Sequence, residues 1–142
     1  MIDTTKLILL VEDDPDHELL TIRALNKSQI ANEVKVARDG EEAINLLFGE
    51  TPLRPQVVLL DLKLPKVDGL EVLRRIRTSD STKMLPVVVL TSSKEQKDVV
   101  ESYHLGVNSY IVKPVDFDRF TESMKQLGYY WLLLNQPPIL GT

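Results

Sequence analysis

Short apolar runs recur along the chain and predict the strands of a sheet. Residues 7–11, 57–60 and 86–90 are apolar without a polar interruption, which is typical of strands buried on both faces of a parallel sheet. A Val-Lys-Val alternation at residues 34–36 suits a strand nearer an edge, and residues 109–112 form a short further run. The pattern therefore predicts five strands.

Capping residues and helical spacing predict a helix after each strand. Asp14 stands directly before Pro15 and would cap the first helix. An aspartate three residues before a glutamate, the spacing of a capping box, occurs at residues 39–42 and 68–71. Asp116 would open the last helix. That helix has an apolar face formed by Phe120, Met124, Leu127 and Trp131.

The fourth helix is the most polar of the five. We expect its packing face to consist of Val99, Val100 and Tyr103, and we expect Gly106 to end it as a C-terminal cap. So thin an apolar stripe predicts a loosely held element.

Strand and helix alternate in five units at intervals of roughly 25 residues, which predicts an α/β fold with a parallel sheet covered by helices on both faces. The length of 142 residues suggests one domain. We expect its core at residues 6–127 and a C-terminal extension and tail at residues 128–142.

Composition narrows the setting and the partners. The chain has no cysteine and a net charge of −4 without a basic block, so we expect a cytoplasmic protein that does not bind DNA directly. No apolar run approaches the ~18 residues of a membrane span.

Chemically active residues follow four of the five predicted strands. The first strand is followed by Glu12 and Asp13, and the third by Asp61. The carboxyl ends of parallel strands meet at one edge of a sheet, where such folds bind ligands. Three carboxylates about 5 Å apart would repel by roughly 3 kcal/mol per pair at an effective dielectric constant of 20. Protons or a cation must offset this, and Mg²⁺ or Mn²⁺ fits an all-oxygen ligand set.

The remaining strand ends carry groups that suit an anion. Thr91 and Ser92 follow the fourth strand, and Lys113 follows the fifth. A lysine would oppose a metal ion, so the two kinds of group make sense together if a phosphoryl group also enters the site. A carboxylate such as Asp61 can be the nucleophile that takes it, giving an aspartyl phosphate.

These residues and their flanking motifs, LLVEDDP, LLDLKLPKVDG, VVVLTSS and SYIVKP, resemble the receiver domain of two-component response regulators over about residues 6–127. The resemblance implies a doubly wound, flavodoxin-like (βα)5 fold with strand order 2-1-3-4-5. It also implies a single-domain regulator that accepts a phosphoryl group from a histidine kinase and catalyses only its own phosphorylation and slow dephosphorylation.

The resemblance also assigns roles. Asp61 would be the phosphoacceptor. Asp13 would bind Mg²⁺ directly, Glu12 through water, and the backbone carbonyl of Lys63 would complete the protein ligands. Glu12 stands where aspartate is commoner in the family. Its extra methylene changes the reach of its carboxylate, which bears on its expected role as a water-mediated ligand. The phosphoryl oxygens would be held by Thr91 and Lys113.

Further residues are expected to regulate the site. By the resemblance, Thr91 moves toward the phosphoryl group, Tyr110 turns inward behind it, and the fourth helix is the bistable element. A cis peptide is expected before Pro114. Lys63 and Ser93 match positions along the water path to the phosphoryl group, and we expect Lys63 to slow its loss by crowding that water.

The C-terminal sequence narrows the resemblance. The apolar run at residues 127–134 and the following Asn-Gln-Pro-Pro are similar to stand-alone receivers that serve cyanobacterial phytochrome-type kinases, which are therefore the expected partners. The run would either pack on the domain's own core or mediate a homodimer, for which the fourth and fifth helices are other candidates. His17 and His104 lie on helices and are expected to face solvent.

Three other functions share parts of this pattern. A flavodoxin-like electron carrier needs a hydroxyl- or glycine-rich phosphate loop after the first strand, but this loop is acidic. A haloacid-dehalogenase-type phosphatase needs a second acid two residues after Asp61, where this chain has Lys63. A receiver that acts only as a binding module, without phosphorylation, is the closest rival, and the complete set of site residues argues against it.

Overall fold

A computed structural model describes residues 6–27, 32–113, 116–136 and 138. Its strands are β1 (Lys6–Val11), β2 (Asn32–Ala37), β3 (Val57–Leu60), β4 (Val87–Thr91) and β5 (Ser109–Val112). Its helices are α1 (Pro15–Lys27), α2 (Gly40–Phe48), α3 (Gly69–Thr78), α4 (Gln96–His104) and α5 (Phe117–Tyr129), followed by a π-helical segment (Tyr130–Leu134).

The five strands form one parallel sheet in the order β2-β1-β3-β4-β5. This order and the strict alternation with helices confirm the expected doubly wound (βα)5 fold. The edge position expected for the Val-Lys-Val strand is also confirmed, since β2 lies at one end of the sheet.

Alternate residues of the central strands feed two cores, one on each face of the sheet. In β3, Val58 and Leu60 pack on the side of α2 and α3, while Val57 and Leu59 pack on the side of α1 and α5. All four residues are fully buried. At roughly 2 kcal/mol for each fully buried aliphatic side chain, this double coverage explains why the strand is apolar throughout.

The expected helix caps are present. The side chain of Asp14 accepts hydrogen bonds from the backbone N–H groups of Asp16 and His17 at the start of α1. Asp39, Asp68 and Asp116 each accept from the backbone N–H three residues later. Each cap satisfies a donor that the first helical turn leaves unpaired.

The packing face expected for α4 is wrong. Val100 and Tyr103 are 44% and 53% exposed, and the buried positions of the helix are Asp98 and Ser102. Val99 is half-buried. The helix ends at His104, and Gly106 adopts a φ of 75° two residues later, as a glycine cap permits.

The C-terminal run packs largely on the domain itself. α5 continues past Gly128, and Leu127, Trp131 and Leu132 are buried in the core beside α1. Tyr129 and Tyr130 remain about half exposed, at 52% and 47%. None of the described helices combines the length and the apolar character that crossing a membrane requires.

Candidate functional site

Backbone hydrogen bonds between strands fix the loops that carry the predicted acids. The N–H of Glu12, just past β1, donates to the carbonyl of Ala37 at 2.9 Å, and the N–H of Asp61, just past β3, donates to the carbonyl of Val11 at 3.1 Å. Both residues thus leave the sheet at the same edge. The parallel register places them side by side because β1 and β3 are neighbours.

Three carboxylates meet at this edge. Glu12, Asp13 and Asp61 each offer an oxygen within 4.8 Å of the others. Glu12 and Asp61 are buried, at 1% and 6% exposure, and Asp13 faces solvent. One exposed acid beside two buried ones gives a cation access from solvent and a binding surface made only of oxygen.

A buried ammonium lies against the same acids. The Nζ of Lys113 is 2.6 Å from Glu12 Oε1 and 3.0 Å from Asp61 Oδ2, and its side chain is 4% exposed. Two buried carboxylates partly offset the cost of burying this charge. The arrangement fixes the lysine at the end of β5, directly beside Asp61.

The second oxygen of Asp61 is held by two donors. The hydroxyl of Thr91 donates to Asp61 Oδ1 at 2.8 Å, and the backbone N–H of Lys63 donates to the same atom at 3.2 Å. Thr91 is fully buried. Both carboxylate oxygens are therefore oriented, and the side chains that hold them come from β4 and from beyond β5.

The pKa of Glu12 is shifted by its burial in this cluster. Burial raises the pKa of Glu12 to about 7, although the hydrogen bond and charge of Lys113 oppose the rise; the nearby Asp61 carboxylate adds to it. A proton thus competes for the position that a cation would neutralise. Burial is the main cause of this shift, and the repulsion expected among clustered acids adds only part of it.

His17 belongs to the border of this site, which corrects the expectation that it faces solvent alone. Its Nδ1 lies 3.0 Å from the Nζ of Lys113 and 4.0 Å from Glu12 Oε1. Its ring stacks on Phe120 of α5, with ring centroids 6.0 Å apart. The side chain is 37% exposed. His17 lies in the first turn of α1, which begins four residues after β1 ends. This closeness to the strand end is the sequence feature that points to a place beside the site.

The loop after β4 carries a second group of polar contacts. Ser93 donates its hydroxyl to Asp98 Oδ2 at 2.6 Å, and the Nζ of Lys63 lies 3.5 Å from the same oxygen. The hydroxyl of Tyr110, on β5, donates to the backbone carbonyl of Ser93 at 3.0 Å. The hydrogen bond from Ser93 holds the pKa of Asp98 below its usual value, and burial raises the pKa of Tyr110.

The donor set fits a hard divalent cation. Three carboxylates supply only oxygen atoms, which Mg²⁺ and Mn²⁺ prefer, and Asp13 is exposed to solvent. The peptide bond before Pro114, for which a cis geometry is expected, lies outside the described residues.

Comparisons with known proteins define the class. The model of the response regulator receiver domain matches residues 8–125, and the chain belongs to this family. It is 39% identical over 132 residues to the response regulator Rcp1 of Synechocystis sp., with 89% of each chain covered.

Solved structures agree with this assignment. The crystal structure of the Mn²⁺-bound form of Rcp1 superposes with a TM-score of 0.90, at 39% identity, and covers 94% of this chain and 99% of that one. The phosphorylated cyanobacterial phytochrome response regulator RcpA gives a TM-score of 0.90 at 40% identity, with the same coverage. The bacteriophytochrome response regulator AtBRR is 53% identical, with a TM-score of 0.70 and coverage of 93% and 99%.

The resemblance to response regulator receivers is thereby confirmed, and the expected cofactor agrees with the oxygen ligands of this chain and with the Mn²⁺-bound relative. The structure brings Glu12, Asp13, Asp61, Thr91 and Lys113 together at one edge of the sheet.

Proposed function

We propose that Asp61 accepts a phosphoryl group from a histidine kinase in a Mg²⁺-dependent reaction, and that the protein passes this state on by protein contacts. The supporting observation is that acids, a buried ammonium and a hydroxyl converge on one carboxylate. Acids alone would suit a cation, and Lys113 with Thr91 alone would suit an anion. A phosphoryl group beside a metal ion uses both.

In the transfer, an Asp61 oxygen bonds to phosphorus while the bond from phosphorus to the donor's histidine nitrogen breaks; the electron pair stays on that nitrogen. Asp13 would bind the ion directly, Glu12 through water, and the carbonyl of Lys63 would be a further ligand. When bound, the ion supplies positive charge next to the phosphoryl oxygens.

Thr91 and Lys113 would hold the phosphoryl oxygens as negative charge shifts from donor to acceptor. Both side chains are buried and already hydrogen-bonded to Asp61, so they stand next to the position that the phosphoryl group would take. We therefore propose that the protein catalyses its own phosphorylation, also from small acyl phosphates, and its own slow dephosphorylation, without turning over a separate substrate.

Intact mass spectrometry after incubation with Mg²⁺ and acetyl phosphate tests this proposal. The mass should increase by one phosphoryl group, and the gain should disappear in Asp61→Asn. Asp80→Asn is a matched control because the Asp80 side chain is fully exposed, and it should still be phosphorylated. No mass gain for the parent protein at saturating Mg²⁺ would overturn the proposal.

Thr91 and Tyr110 are the proposed switch residues. Thr91 would move toward the phosphoryl group, and Tyr110 would follow because its hydroxyl bonds to the carbonyl of Ser93, two residues along the same loop. The backbone N–H of Ser93 also lies 3.3 Å from the hydroxyl oxygen of Thr91. Displacement of this loop would shift α4, which begins three residues after Ser93.

We propose a phytochrome-type histidine kinase as the donor, since RcpA and AtBRR are phytochrome and bacteriophytochrome regulators. Transfer from an autophosphorylated phytochrome kinase should outpace transfer from an unrelated kinase.

Residues 1–142 would act as a single receiver domain. Self-association of this domain would involve α4, α5 or the C-terminal extension, where Tyr129 and Tyr130 are exposed. Light scattering would detect such a dimer.

Lys63 is proposed to slow the loss of the phosphoryl group. Its backbone N–H already donates to Asp61 Oδ1, so its side chain begins in the loop that carries the proposed acceptor and would crowd the approach of water. If Lys63→Ala lost phosphate no faster than the parent protein, this role would be wrong.

A further inference from the structure

α4 packs on the domain through polar residues. Its buried positions are Asp98, at 6% exposure, and Ser102, at 0%. A buried carboxylate is costly unless it is paired and hydrogen-bonded. The partners of Asp98 therefore indicate what this carboxylate is for.

Asp98 joins two loops that border the candidate site. Its Oδ2 accepts a hydrogen bond of 2.6 Å from the hydroxyl of Ser93, in the loop after β4. The same oxygen lies 3.5 Å from the Nζ of Lys63, in the loop after β3. Lys63 and Ser93 also line an open cleft of about 500 Å³ between these loops.

The position of the Lys63 ammonium depends on this pairing. The side chain of Lys63 is 61% exposed, whereas that of Asp98 is 8% exposed. An exposed lysine has a flexible four-carbon side chain and samples many positions unless a fixed partner holds it. Asp98 is such a partner, because the Ser93 hydrogen bond and the helix both fix its carboxylate.

We propose that Asp98 is a positioning residue that holds the Lys63 ammonium across the cleft and so allows α4 to set the lifetime of the phosphoryl group. This inference rests on the proposed phosphorylation of Asp61. In hydrolysis, a water oxygen bonds to phosphorus as the bond from phosphorus to the Asp61 oxygen breaks. The products are the free carboxylate and inorganic phosphate, and the water protons remain on phosphate or pass to solvent.

Movement of α4 then changes the rate of this step. While Asp98 stays in place, the Lys63 ammonium would be held at the cleft that Lys63 and Ser93 line, where it would crowd the water that attacks phosphorus. A partner that pulls α4 away would release Lys63 and shorten the lifetime, whereas a partner that clamps α4 would lengthen it. The surface that a partner would touch lies on the same helix, at the exposed Val100 and Tyr103.

The test measures phosphate loss after phosphorylation with acetyl phosphate and removal of the donor. Asp98→Asn keeps an oxygen that can accept a hydrogen bond from Ser93 but loses the charge that holds Lys63. This variant should lose phosphate about five times faster than the parent protein. Glu101→Gln is the matched control, since Glu101 is another α4 acid and pairs with the exposed Arg74 at 3.3 Å. Its rate should equal that of the parent.

A double variant separates positioning from a merely structural effect. In a Lys63→Ala background, Asp98→Asn should change the rate of phosphate loss by less than about twofold, because there is no Lys63 ammonium left for Asp98 to position. Added salt should speed the loss in the parent protein and leave Asp98→Asn unchanged, since salt screens a partly exposed ion pair.

The outcomes distinguish this inference from the proposed function. A parent protein that gains no phosphoryl group overturns both. A parent that is phosphorylated, with Asp98→Asn decaying at the parental rate or accelerating equally with and without Lys63, overturns this inference alone.

Discussion

Replacement of the buried ammonium by Lys113→Met should make the metal-free protein less stable and more sensitive to pH. Methionine keeps an unbranched side chain that is one heavy atom shorter and carries no charge. The change leaves Glu12 and Asp61, now 2.6 Å and 3.0 Å from the Lys113 Nζ, without their shared cation. Loss of one partner of a buried ion pair typically costs about 3–5 kcal/mol.

The pH dependence follows from the pKa of Glu12. This pKa is raised from 4.5 to about 7, so between these values the unfolded chain gives up a proton that the folded protein retains. The contribution of Glu12 to stability is therefore largest below about pH 4.5, falls as pH rises, and is lost above about pH 7. Lys113 lowers the pKa of Glu12, so its removal must raise that pKa further. Between about pH 6 and pH 8 the parent should lose about 1 kcal/mol and the variant up to about 3 kcal/mol.

Urea unfolding of both proteins in a chelator, at these two pH values, measures the difference. Lys97→Met is the matched control, because Lys97 is 79% exposed and its loss should change stability by less than about 1 kcal/mol. Excess Mg²⁺ should restore part of the variant's stability. Equal destabilisation of Lys113→Met at the two pH values would refute the reasoning, because Glu12 would then not respond to the lysine.

Three shorter predictions concern the same edge of the sheet. Gly69→Ala should cost about 1–3 kcal/mol in urea unfolding and slow phosphorylation, because its Cβ would collide with the carbonyl of Asp61 and lie 2.6 Å from Leu62 Cα. Tyr110→Phe should cost about 1 kcal/mol while leaving phosphorylation intact, since it removes only the hydrogen bond to Ser93. Calorimetry in buffers of different ionisation enthalpy should show Mg²⁺ binding releasing nearly one proton at about pH 6 and almost none at about pH 8, and Glu12→Gln should abolish the release.

The sheet and the main site could be predicted because they depend on strong local signals. An uninterrupted apolar run such as residues 57–60 is typical of a strand that is buried on both faces, at the centre of a parallel sheet. Once the strands are parallel, the residues that follow them must meet at one edge. The approach of Asp61 to Glu12 and Lys113 therefore follows from topology rather than from any contact visible in the sequence.

The face of α4 could not be predicted in the same way. Apolar residues at positions 99, 100 and 103 suggested a packing face, but the helix buries Asp98 and Ser102 instead. Hydrophobic spacing fails here because a polar residue can be buried when the loops around it supply hydrogen-bonding and charged partners. Lys63 lies 35 residues before Asp98 in the sequence, and the approach of Ser93 depends on how the loop before α4 folds back onto the helix.

The contacts of His17 could not be predicted from local sequence spacing either. A histidine in the first turn of a helix usually faces water, and here it also contacts Lys113 and stacks on Phe120. Both partners lie about a hundred residues further along the chain. Their approach depends on how α1 and α5 pair on one face of the sheet, which apolar periodicity alone does not determine.

The formal charges of the site explain why a metal ion and a phosphoryl group should depend on each other. With every acid ionised, Glu12, Asp13 and Asp61 outweigh Lys113 by two negative charges. Phosphorylation replaces the single charge of Asp61 by two, so without a cation the site would carry three negative charges, partly buried. A divalent ion reduces this excess to one. At an effective dielectric constant of 20, each repelling pair about 4–5 Å apart costs roughly 3–4 kcal/mol. The phosphorylated state should therefore form readily only when the ion is present. In the metal-free protein, burial raises the pKa of Glu12, and repulsion from Asp61 adds to that rise.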